Sequence, residues 1–332
     1  MTSGTTYHVR AYATNSAGTA YGNDLSFTTT APVIPTLTTT AITAIDETTA
    51  VSGGNITSDG GGAVTARGVC WATTASPLAT GSHTTDGTST GIFTSNISGL
   101  IGGTTYYVRA YATNSAGTAY GNQISFNTKL ADVDGNKYNV VAIGAQMWMA
   151  ENLKTTKLND NTAISNVAVP ATWAADLLPA YCWYNNDETT YKPLYGALYN
   201  YFAVNTGNLC PTGWHAPTDA DFGTLESTLG MTNAQIILGW QWRGTTQGTQ
   251  LKSTTLWNIN TGTNTSGFTA LPGGYRYYLD GSFNNAGDLS YWWTASAVDA
   301  TTAYYRELDG NQAQVYRAGV NMAAGKYVRC VK

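Results

Sequence analysis

The sequence predicts a mainly β protein with an α+β domain at its C-terminal end. Charged residues make up only 11% of the 332 residues, whereas an average domain has about 25%. The sequence is instead rich in Thr, Gly, Asn, Tyr and Trp. This mixture of hydrogen-bonding and aromatic residues favours strands. A long segment also occurs twice, and apolar residues alternate within it. These observations predict several domains built mainly from strands.

The internal repeat indicates the size of the first type of domain. Residues 4–30 and 103–129 are identical at 22 of 27 positions, at an offset of 99 residues (103 − 4). A period near 100 matches one β-sandwich per repeat, because solenoid units are only about 20–50 residues long. We therefore divide the chain into a partial repeat at 1–30, a complete repeat at 31–129 and a different domain at 130–332.

The complete repeat is predicted to consist of strands separated by Gly, Asp, Ser and Pro clusters. The strand-like runs lie near 36–45, 48–57, 64–72, 91–98, 104–113 and 117–128. Within the fifth run, Tyr106, Val108, Ala110 and Ala112 share one face, because side chains alternate along a strand. Tyr107, Arg109 and Tyr111 share the other face.

The complete repeat resembles a fibronectin type III domain. The positions that match the pattern of that family are Leu100, Gly103, Thr104, Tyr106, Val108, Ala112, Asn114 and Gly117. Gly102 replaces a Pro of the pattern, and Ala110 replaces its second Val. The resemblance implies an immunoglobulin- or fibronectin III-like β-sandwich in which Tyr106 is a corner tyrosine, whose hydroxyl ties a loop to the strand. The fold itself says little about function.

Residues 1–30 supply only the last two strands of a further sandwich. An isolated hairpin is marginally stable in water, and the apolar stripe of Tyr7, Val9, Ala11 and Ala13 needs a cover. We predict that contacts from outside the hairpin stabilise this segment. One source is another chain, which would give a head-to-tail assembly through residues 1–30. The other sources are the complete repeat itself and a missing upstream half of the first sandwich.

Two amphipathic helices are predicted in the C-terminal domain. Tyr195, Leu198, Tyr199 and Phe202 follow the i, i+3, i+4, i+7 spacing of a helix near 195–204. The second helix follows Pro217, with Thr218 as N-cap and Asp221 three residues later, which is close to a capping box. Its apolar stripe and its end are formed by Phe222, Leu225, Leu229 and Gly230.

The C-terminal domain resembles the FISUMP family, the Fibrobacter succinogenes major paralogous domain. Matching segments lie at 132–154, 181–187, 195–201, 209–222, 251–257, 267–276, 292–296 and 327–332. The resemblance implies a C-type lectin-like fold with two helices, a small twisted sheet and long loops. It also implies a secreted or surface protein of Bacteroidota-like bacteria, with a poorly defined biochemical role.

The four cysteines are compatible with either a disulfide or buried thiols, and no CxxC spacing points to zinc or thioredoxin-like chemistry. Formylglycine-generating enzymes have a fold related to the one that the resemblance implies, but their chemistry needs a reactive cysteine pair. The C-terminal segment offers only Cys330. We expect a Cys210–Cys330 disulfide across the domain, with Cys70 and Cys182 as buried free thiols.

Two arginines are predicted to have a structural role. Arg276 and Arg329 lie in apolar, strand-like segments. A buried arginine needs partners, and a pair with an acidic residue is the first expectation. Glu151 is the candidate partner.

No catalytic constellation is recognisable in the sequence. Residues 87–91 match the letters GxSxG, but they lie in a loop without the strand–turn–helix context of a nucleophile elbow. The three histidines, His8, His83 and His215, are scattered over separate segments. We therefore predict that the protein is not an enzyme and carries no catalytic residues.

No metal or cofactor is predicted either. The segment from Asp132 to Asn136 loosely resembles a calcium loop but lacks the Gly and Glu positions of an EF-hand, so a hairpin turn is expected there. The sugar-binding motifs of calcium-dependent C-type lectins are missing from the sequence, which leaves only calcium elsewhere open.

Exposed aromatic residues are the candidate binding residues. Trp240, Trp242 and Tyr277 lie in loop-like segments and could stack on sugar rings. The alternative is that they belong to the core or to an interface.

The sequence predicts a non-catalytic extracellular or cell-surface binding or adhesion protein, whose ligand is a polysaccharide or a surface protein. The alternative is a structural subunit of an extracellular filament or surface array. A net charge of −4 provides no basic footprint for nucleic acid, and no run of about 18 apolar residues would insert into a membrane. No signal peptide follows Met1, so we expect a fragment or a mature chain.

Overall fold

The computed structural model describes residues 1–260 and 262–332. The chain divides into two compact units, Met1–Thr128 and Lys129–Lys332. In the part of the chain described here, no helix is both long enough and apolar enough to cross a membrane.

The complete repeat is a β-sandwich. Its strands are β5 (Thr36–Thr39), β6 (Thr49–Ser58), β7 (Ala66–Ala72), β8 (Ser82–His83), β9 (Gly91–Ser98), β10 (Thr105–Asn114), β11 (Gly117–Tyr120) and β12 (Ile124–Asn127). One sheet has the order β5-β6-β9. The other has the order β11-β10-β7-β8, and β12 also pairs with β10. The predicted sandwich is confirmed, and the last predicted run proves to be two strands.

The alternation along β10 explains how the two sheets pack. Tyr106, Val108, Ala110 and Ala112 are all buried in the core, as their shared face predicts. They pack with residues of the opposite sheet, among them Leu37, Ala50, Ile56, Phe93 and Ile97. The backbone N–H of Ile101 donates a hydrogen bond to the Tyr106 hydroxyl at 3.1 Å. This contact ties the preceding loop to the strand in the way expected of a corner tyrosine.

The first copy of the repeat lacks such a cover. It forms four short strands rather than two: β1 (Thr6–Val9), β2 (Tyr12–Asn15), β3 (Gly18–Tyr21) and β4 (Leu25–Thr28). Strand β1 pairs with β4, and β2 pairs with β3. Val9 is 52% exposed and Phe27 is 44% exposed, whereas their equivalents Val108 and Phe126 are 0% and 7% exposed. The predicted covering contacts from another chain stay a prediction.

The second unit contains many short elements. Its first strands are β13 (Leu130–Ala131), β14 (Lys137–Tyr138), β15 (Val140–Ile143), β16 (Gln146–Met149), β17 (Ser165–Asn166), β18 (Ala180–Cys182) and β19 (Leu198–Tyr199). Its later strands are β20 (Gln241–Arg243), β21 (Gly273–Arg276), β22 (Phe283–Ala286), β23 (Leu289–Ala297), β24 (Thr302–Asp309) and β25 (Val315–Asn321). Its helices are α1 (Pro170–Ala175), α2 (Glu188–Tyr195), α3 (Tyr201–Val204), α4 (Asp219–Thr228), α5 (Asn233–Ile236) and α6 (Gln247–Leu251), with a 3₁₀ turn at Tyr184–Asn186.

The largest sheet of this unit has six strands in the order β20-β25-β24-β23-β21-β22. The C-terminal segment runs beside β23, because the Trp293 N–H bonds to the Tyr327 carbonyl and the Tyr327 N–H bonds to the Tyr291 carbonyl, both at 3.0 Å. On its other side the same segment pairs with β19, through two hydrogen bonds between Lys326 and Tyr199. Strand β19 thereby joins the large sheet through the end of the chain.

The disulfide of the second unit links Cys210 to Cys330 across 120 residues. Cys70 and Cys182 are buried free thiols. Burial raises the pKa of Cys70 to about 11 and that of Cys182 to about 12. Both thiols are therefore protonated at neutral pH.

The second predicted helix is confirmed as α4, and the first is wrong. Thr218 caps α4, and Asp221 completes the capping box in both directions. The helix predicted near 195–204 does not form, because the chain leaves helix α2 at Gly196, which has φ +77°. A Cβ at that position would lie 2.8 Å from the Leu153 carbonyl oxygen. The chain therefore turns at Gly196 and continues as strand β19 and the short helix α3. Tyr195 and Leu198 belong to one hydrophobic cluster, whereas Tyr199 and Phe202 pack in another.

The buried arginines bind backbone carbonyls rather than Glu151, which corrects the predicted ion pair. Arg276 donates to the carbonyls of Gly281, Val167 and Ala168 at 2.9, 2.5 and 2.8 Å. Arg329 donates to the Asn152 side chain at 2.8 Å and to the carbonyls of Phe268 and Thr269. Glu151 instead accepts hydrogen bonds from Asn139. Irregular loops expose many carbonyls, and a guanidinium with five N–H donors can satisfy several of them at once.

A second group of charges anchors α4 to the large sheet. Glu226 is fully buried and accepts hydrogen bonds from Arg243 and Arg306, both at 2.6 Å. Asp219 accepts from Arg306 and Arg317, both at 2.7 Å. Burial opposes ionisation of Asp219, but the two arginines outweigh it and lower its pKa to about 2. These bridges fix one face of the sheet against the helix.

Candidate functional site

The face of the large sheet opposite to α4 carries a row of aromatic residues. Strand pairing places Trp242 opposite Tyr316, Tyr316 opposite Glu307, and Glu307 opposite Tyr291. Because directly paired residues point to the same side of a sheet, these four side chains share one face. Tyr305 lies two residues before Glu307 on β24 and joins them.

The rings of this face contact one another across the strands. We call the set Trp242, Tyr316, Tyr305, Tyr291, Tyr275 and Tyr277 the aromatic row. Successive ring centroids are 5.2, 6.4, 5.8, 4.7 and 6.3 Å apart. These spacings fall in the range of attractive aromatic pairs, so the rings support one another in fixed positions.

One end of the aromatic row surrounds a cavity of about 150 Å³. We call it the tyrosine pocket, and its lining is Tyr275, Tyr277, Tyr278, Tyr291, Tyr305, Glu307, Val320, Ala324 and Lys326. Four of the five tyrosines are only half-buried, and Tyr291 is 7% exposed. The rim of the pocket therefore reaches solvent, while its floor is formed by buried groups.

Lys326 and Glu307 are the charged groups of the pocket. Lys326 is 2% exposed, and its Nζ lies 3.9 Å from the Tyr305 ring centroid and 4.1 Å from that of Tyr291. Burial lowers the pKa of Lys326 to about 7, although the charge of Glu307 opposes the shift. Burial also raises the pKa of Glu307, and Lys326 again opposes the change. The pocket thus holds one acid and one base whose pKa values have moved towards each other.

The tyrosine hydroxyls in the pocket stay protonated at neutral pH. Burial raises the pKa of Tyr291, Tyr305 and Tyr275, and the nearby carboxylate of Glu307 adds to the shift. Protonated hydroxyls both donate and accept hydrogen bonds. The site therefore offers apolar ring surface, neutral hydroxyls, a carboxylate and an amine around one small cavity.

The structure brings two of the three sequence-predicted binding residues onto this face. Tyr277 lines the tyrosine pocket, and Trp242 begins the aromatic row. Trp240 lies elsewhere: its ring packs against Tyr304, whose side chain points to the opposite face from Tyr305. Trp240 is 59% exposed and has φ +55°. That backbone conformation breaks the strand alternation that would have put Trp240 beside Trp242.

The sequence-based selection missed Lys326 and Glu307. Glu307 lies in an alternating strand, where its register with Tyr291 was not visible from the sequence. Lys326 follows the apolar stretch Met322–Gly325 and precedes Tyr327. An isolated charge in such a run is a signal of a buried or functional cation, and it could have been noticed.

The other residues considered at the sequence level lie in structural contacts. His215 bonds to the capping-box residue Asp221 at 3.1 Å. Asp132 closes the hairpin of β13 and β14, and it accepts hydrogen bonds from Asp134, Asn136 and Tyr138. Among residues 1–260 and 262–332, no three His, Cys, Asp or Glu residues form a cluster that could hold a metal ion.

Comparison with known proteins identifies the C-terminal part of the chain. The sequence profile of the Fibrobacter succinogenes major domain matches residues 141–332. A search of curated proteins finds no match.

The solved structures that are similar to this chain share little sequence with it. Domains from titin are 17% identical with a TM-score of 0.23, over 32% of this chain and 36% of that chain. The FN1-FN3 domains of chicken CNTN1 are 18% identical with a TM-score of 0.25, over 39% and 44%. The sensor domain of the anti-sigma factor RsgI4 of Pseudobacteroides cellulosolvens is 15% identical with a TM-score of 0.22, over 29% and 75%. This chain thus spans less than half the length of each of the first two structures.

Proposed function

We propose that this chain, which belongs to the Fibrobacter succinogenes major domain family, is a non-catalytic binding or adhesion protein of the cell surface or extracellular space. In this proposal the sandwich presents the C-terminal domain, and the tyrosine pocket binds a polysaccharide.

The observation that carries the proposal is the composition of the tyrosine pocket. Sugar rings have apolar C–H faces that pack on aromatic rings, and Tyr275, Tyr277 and Tyr278 offer such rings at the rim. Sugar hydroxyls need both donors and acceptors, which Lys326 and Glu307 supply at the floor. A concave site with aromatic walls and a few convergent polar groups is the general form of a small-molecule site. Because the amine and the carboxylate provide the polar contacts, this recognition does not depend on calcium.

The architecture of the second unit supports the further proposal of a C-type lectin-like fold. The six-stranded sheet is small, the helices are short and long loops connect them. The C-terminal residue Lys332 pairs with strand β16, since Met147 and Lys332 exchange two backbone hydrogen bonds.

A polysaccharide array with the full-length chain tests the function. We expect binding that Tyr277→Ala weakens by about tenfold or more, because a half-exposed anchor at the rim would be lost. Trp240→Ala is the matched control, since Trp240 is an exposed aromatic residue on the other face of the sheet. This variant should bind the polysaccharide as strongly as the unchanged protein. Equal binding by Tyr277→Ala, or the lack of any bound polysaccharide, would overturn the proposal.

A filament or array subunit is the second candidate function, and the exposed first repeat favours it. The side chains that are buried in the second copy are identical in the first copy but have no cover there, as with Val9 and Val108. Another chain that covered them would form a head-to-tail contact, which grows rather than closes. Electron microscopy of the full chain and of a variant without residues 1–30 tests this idea. Filaments formed equally by the deletion variant, or no filaments from the full chain, would count against it.

A further inference from the structure

Two lysines of the second unit are equally buried but have different surroundings. Lys252 and Lys326 are each 2% exposed. The Nζ of Lys252 donates to the carbonyls of Asp309 and Gln312 at 2.9 and 3.0 Å. Among the described residues, the Nζ of Lys326 has no hydrogen-bond acceptor. The Lys326 Nζ does not belong to the side-chain atoms that are shut off from solvent without a hydrogen-bond partner, which fits its position in the lining of the tyrosine pocket.

The surroundings of Lys326 consist of rings, one carboxyl group and the tyrosine pocket. In addition to Tyr305 and Tyr291, its Nζ lies 5.4 Å from the Tyr275 ring centroid and 5.6 Å from that of Trp293. The rings and Glu307 favour the ammonium form, and burial favours the neutral amine. With a pKa of about 7, both forms are populated at neutral pH. Lys326 also lines the cavity, so a small molecule that enters the pocket meets this amine.

We propose that Lys326 is a carbonyl-capture residue, which forms a reversible imine with a small aldehyde or with the open-chain end of a reducing sugar. A desolvated lysine in an apolar pocket is the arrangement that makes this side chain nucleophilic. Lys252 does not have this property, because carbonyls hold its ammonium and it does not line the pocket. The proposal adds covalent capture without turnover to the site of the proposed function, but it does not require that a polysaccharide binds there.

The reaction balances with Glu307 as the proton carrier. The lone pair of Lys326 forms a C–N bond to the aldehyde carbon, and the π electrons of the C=O bond move to oxygen. Protonated Glu307, which lines the same pocket, gives its proton to this oxygen through a water molecule and takes one back from nitrogen by the same route, which yields a carbinolamine. Glu307 then protonates the hydroxyl, water leaves, and the carboxylate removes the remaining N–H proton of the iminium. The sum is amine plus aldehyde to imine plus water, with Glu307 unchanged.

Reductive trapping on the folded, full-length chain tests the proposal. The protein is treated at pH 7 with glycolaldehyde and cyanoborohydride, and the modification of each lysine is measured over time by peptide mass spectrometry. We expect Lys326 to be modified about tenfold faster than the exposed Lys332, because an ordinary lysine is neutral in only about one molecule in a few thousand at this pH. Lys252, the matched buried lysine, should stay unmodified. Without cyanoborohydride the adduct should disappear on dialysis.

Two further arms make the result specific. In about 6 M urea the advantage of Lys326 should vanish, because it depends on the folded pocket. Glu307→Gln should slow the modification of Lys326 by about fivefold or more, since general acid–base help would be lost, with Lys332 unchanged. Modification of Lys326 no faster than Lys332 in the folded wild-type protein would overturn the proposal. Polysaccharide binding without rapid modification overturns only this inference, and rapid modification without polysaccharide binding overturns only the proposed function.

Discussion

The corner tyrosine of the sandwich provides a sharp test of how the repeat folds. Tyr106 is 6% exposed, its ring stacks on Phe126 with centroids 6.0 Å apart, and its hydroxyl accepts the Ile101 N–H. Tyr106→Phe removes the hydroxyl and leaves the ring contacts in place. A net hydrogen bond contributes about 0.5–1.5 kcal/mol. The sequence alone gives an expectation of about 1–2 kcal/mol for a fully buried hydroxyl, but residue Ile101 as a whole is 65% exposed. Water can therefore reach the freed N–H, and we expect a loss of about 1 kcal/mol.

Urea unfolding of a fragment comprising residues 1–128 measures this loss, with Trp71 as the single tryptophan reporter in that span. The free energy of unfolding falls by about 1–2 kcal/mol per molar urea. The loss should therefore lower the urea midpoint by roughly 0.5–1 M. Tyr7→Phe is the matched control from the first repeat. Its hydroxyl accepts the Thr2 N–H in the same way, but the surrounding stripe is uncovered, so the change should be below about 0.3 kcal/mol. An unchanged midpoint for Tyr106→Phe, or an equal loss for Tyr7→Phe, would refute the reasoning.

Three further predictions concern the second unit. Glu226→Gln should destabilise it by about 3–5 kcal/mol in denaturant melts, because two buried arginines lose the carboxylate that they share. The control Glu188→Gln, which breaks an exposed pair with Lys192, should cost less than about 0.5 kcal/mol. Equal losses of stability in the two variants would contradict the account. Reduction of the Cys210–Cys330 disulfide should cost about 3–5 kcal/mol in matched melts with and without reductant; an unchanged midpoint would contradict this. Stability should rise between pH 7 and about pH 8, because the unfolded chain binds a proton that folded Lys326 has given up, with a slope of up to about 1.4 kcal/mol per pH unit. At higher pH the buried thiol of Cys182 opposes the rise, because the unfolded chain loses a thiol proton that the folded chain keeps. Lys326→Met should flatten the dependence of stability on pH. Part of the dependence should remain, because burial also lowers the pKa of Lys252. An unaltered pH dependence in the variant would exclude Lys326 as the cause.

The sandwich was predictable from the sequence because its signals are local. Alternation along 104–113 identifies the buried face, and the repeat defines the length of the domain. Helix α4 was predictable for the same reason, since Thr218 and Asp221 form its capping box within three residues. The helix near 195–204 was predicted wrongly, because the close approach of the Leu153 carbonyl to Gly196 is a tertiary contact that no local pattern encodes.

The candidate site was predictable only in part. Its aromatic residues are visible in the sequence, but the pairing register that aligns Trp242, Tyr316, Glu307 and Tyr291 depends on four separate strands. Lys326 reaches the pocket because the C-terminal segment packs beside β23, which is a contact across more than 30 residues. The predicted pairing of Arg329 with Glu151 was wrong for a similar reason, since the carbonyls that bind Arg329 come from a distant loop.

The central claim is that the tyrosine pocket is the ligand-binding site of this protein. Nuclear magnetic resonance titration of the labelled full-length chain, with a polysaccharide that binds on the array, tests this claim most directly. The account predicts that the ring signals of Tyr277 and Tyr305 and the side-chain signals of Lys326 shift during the titration, while the Trp240 indole signal does not. Shifts at Trp240 with unchanged signals from the tyrosine pocket would contradict the account.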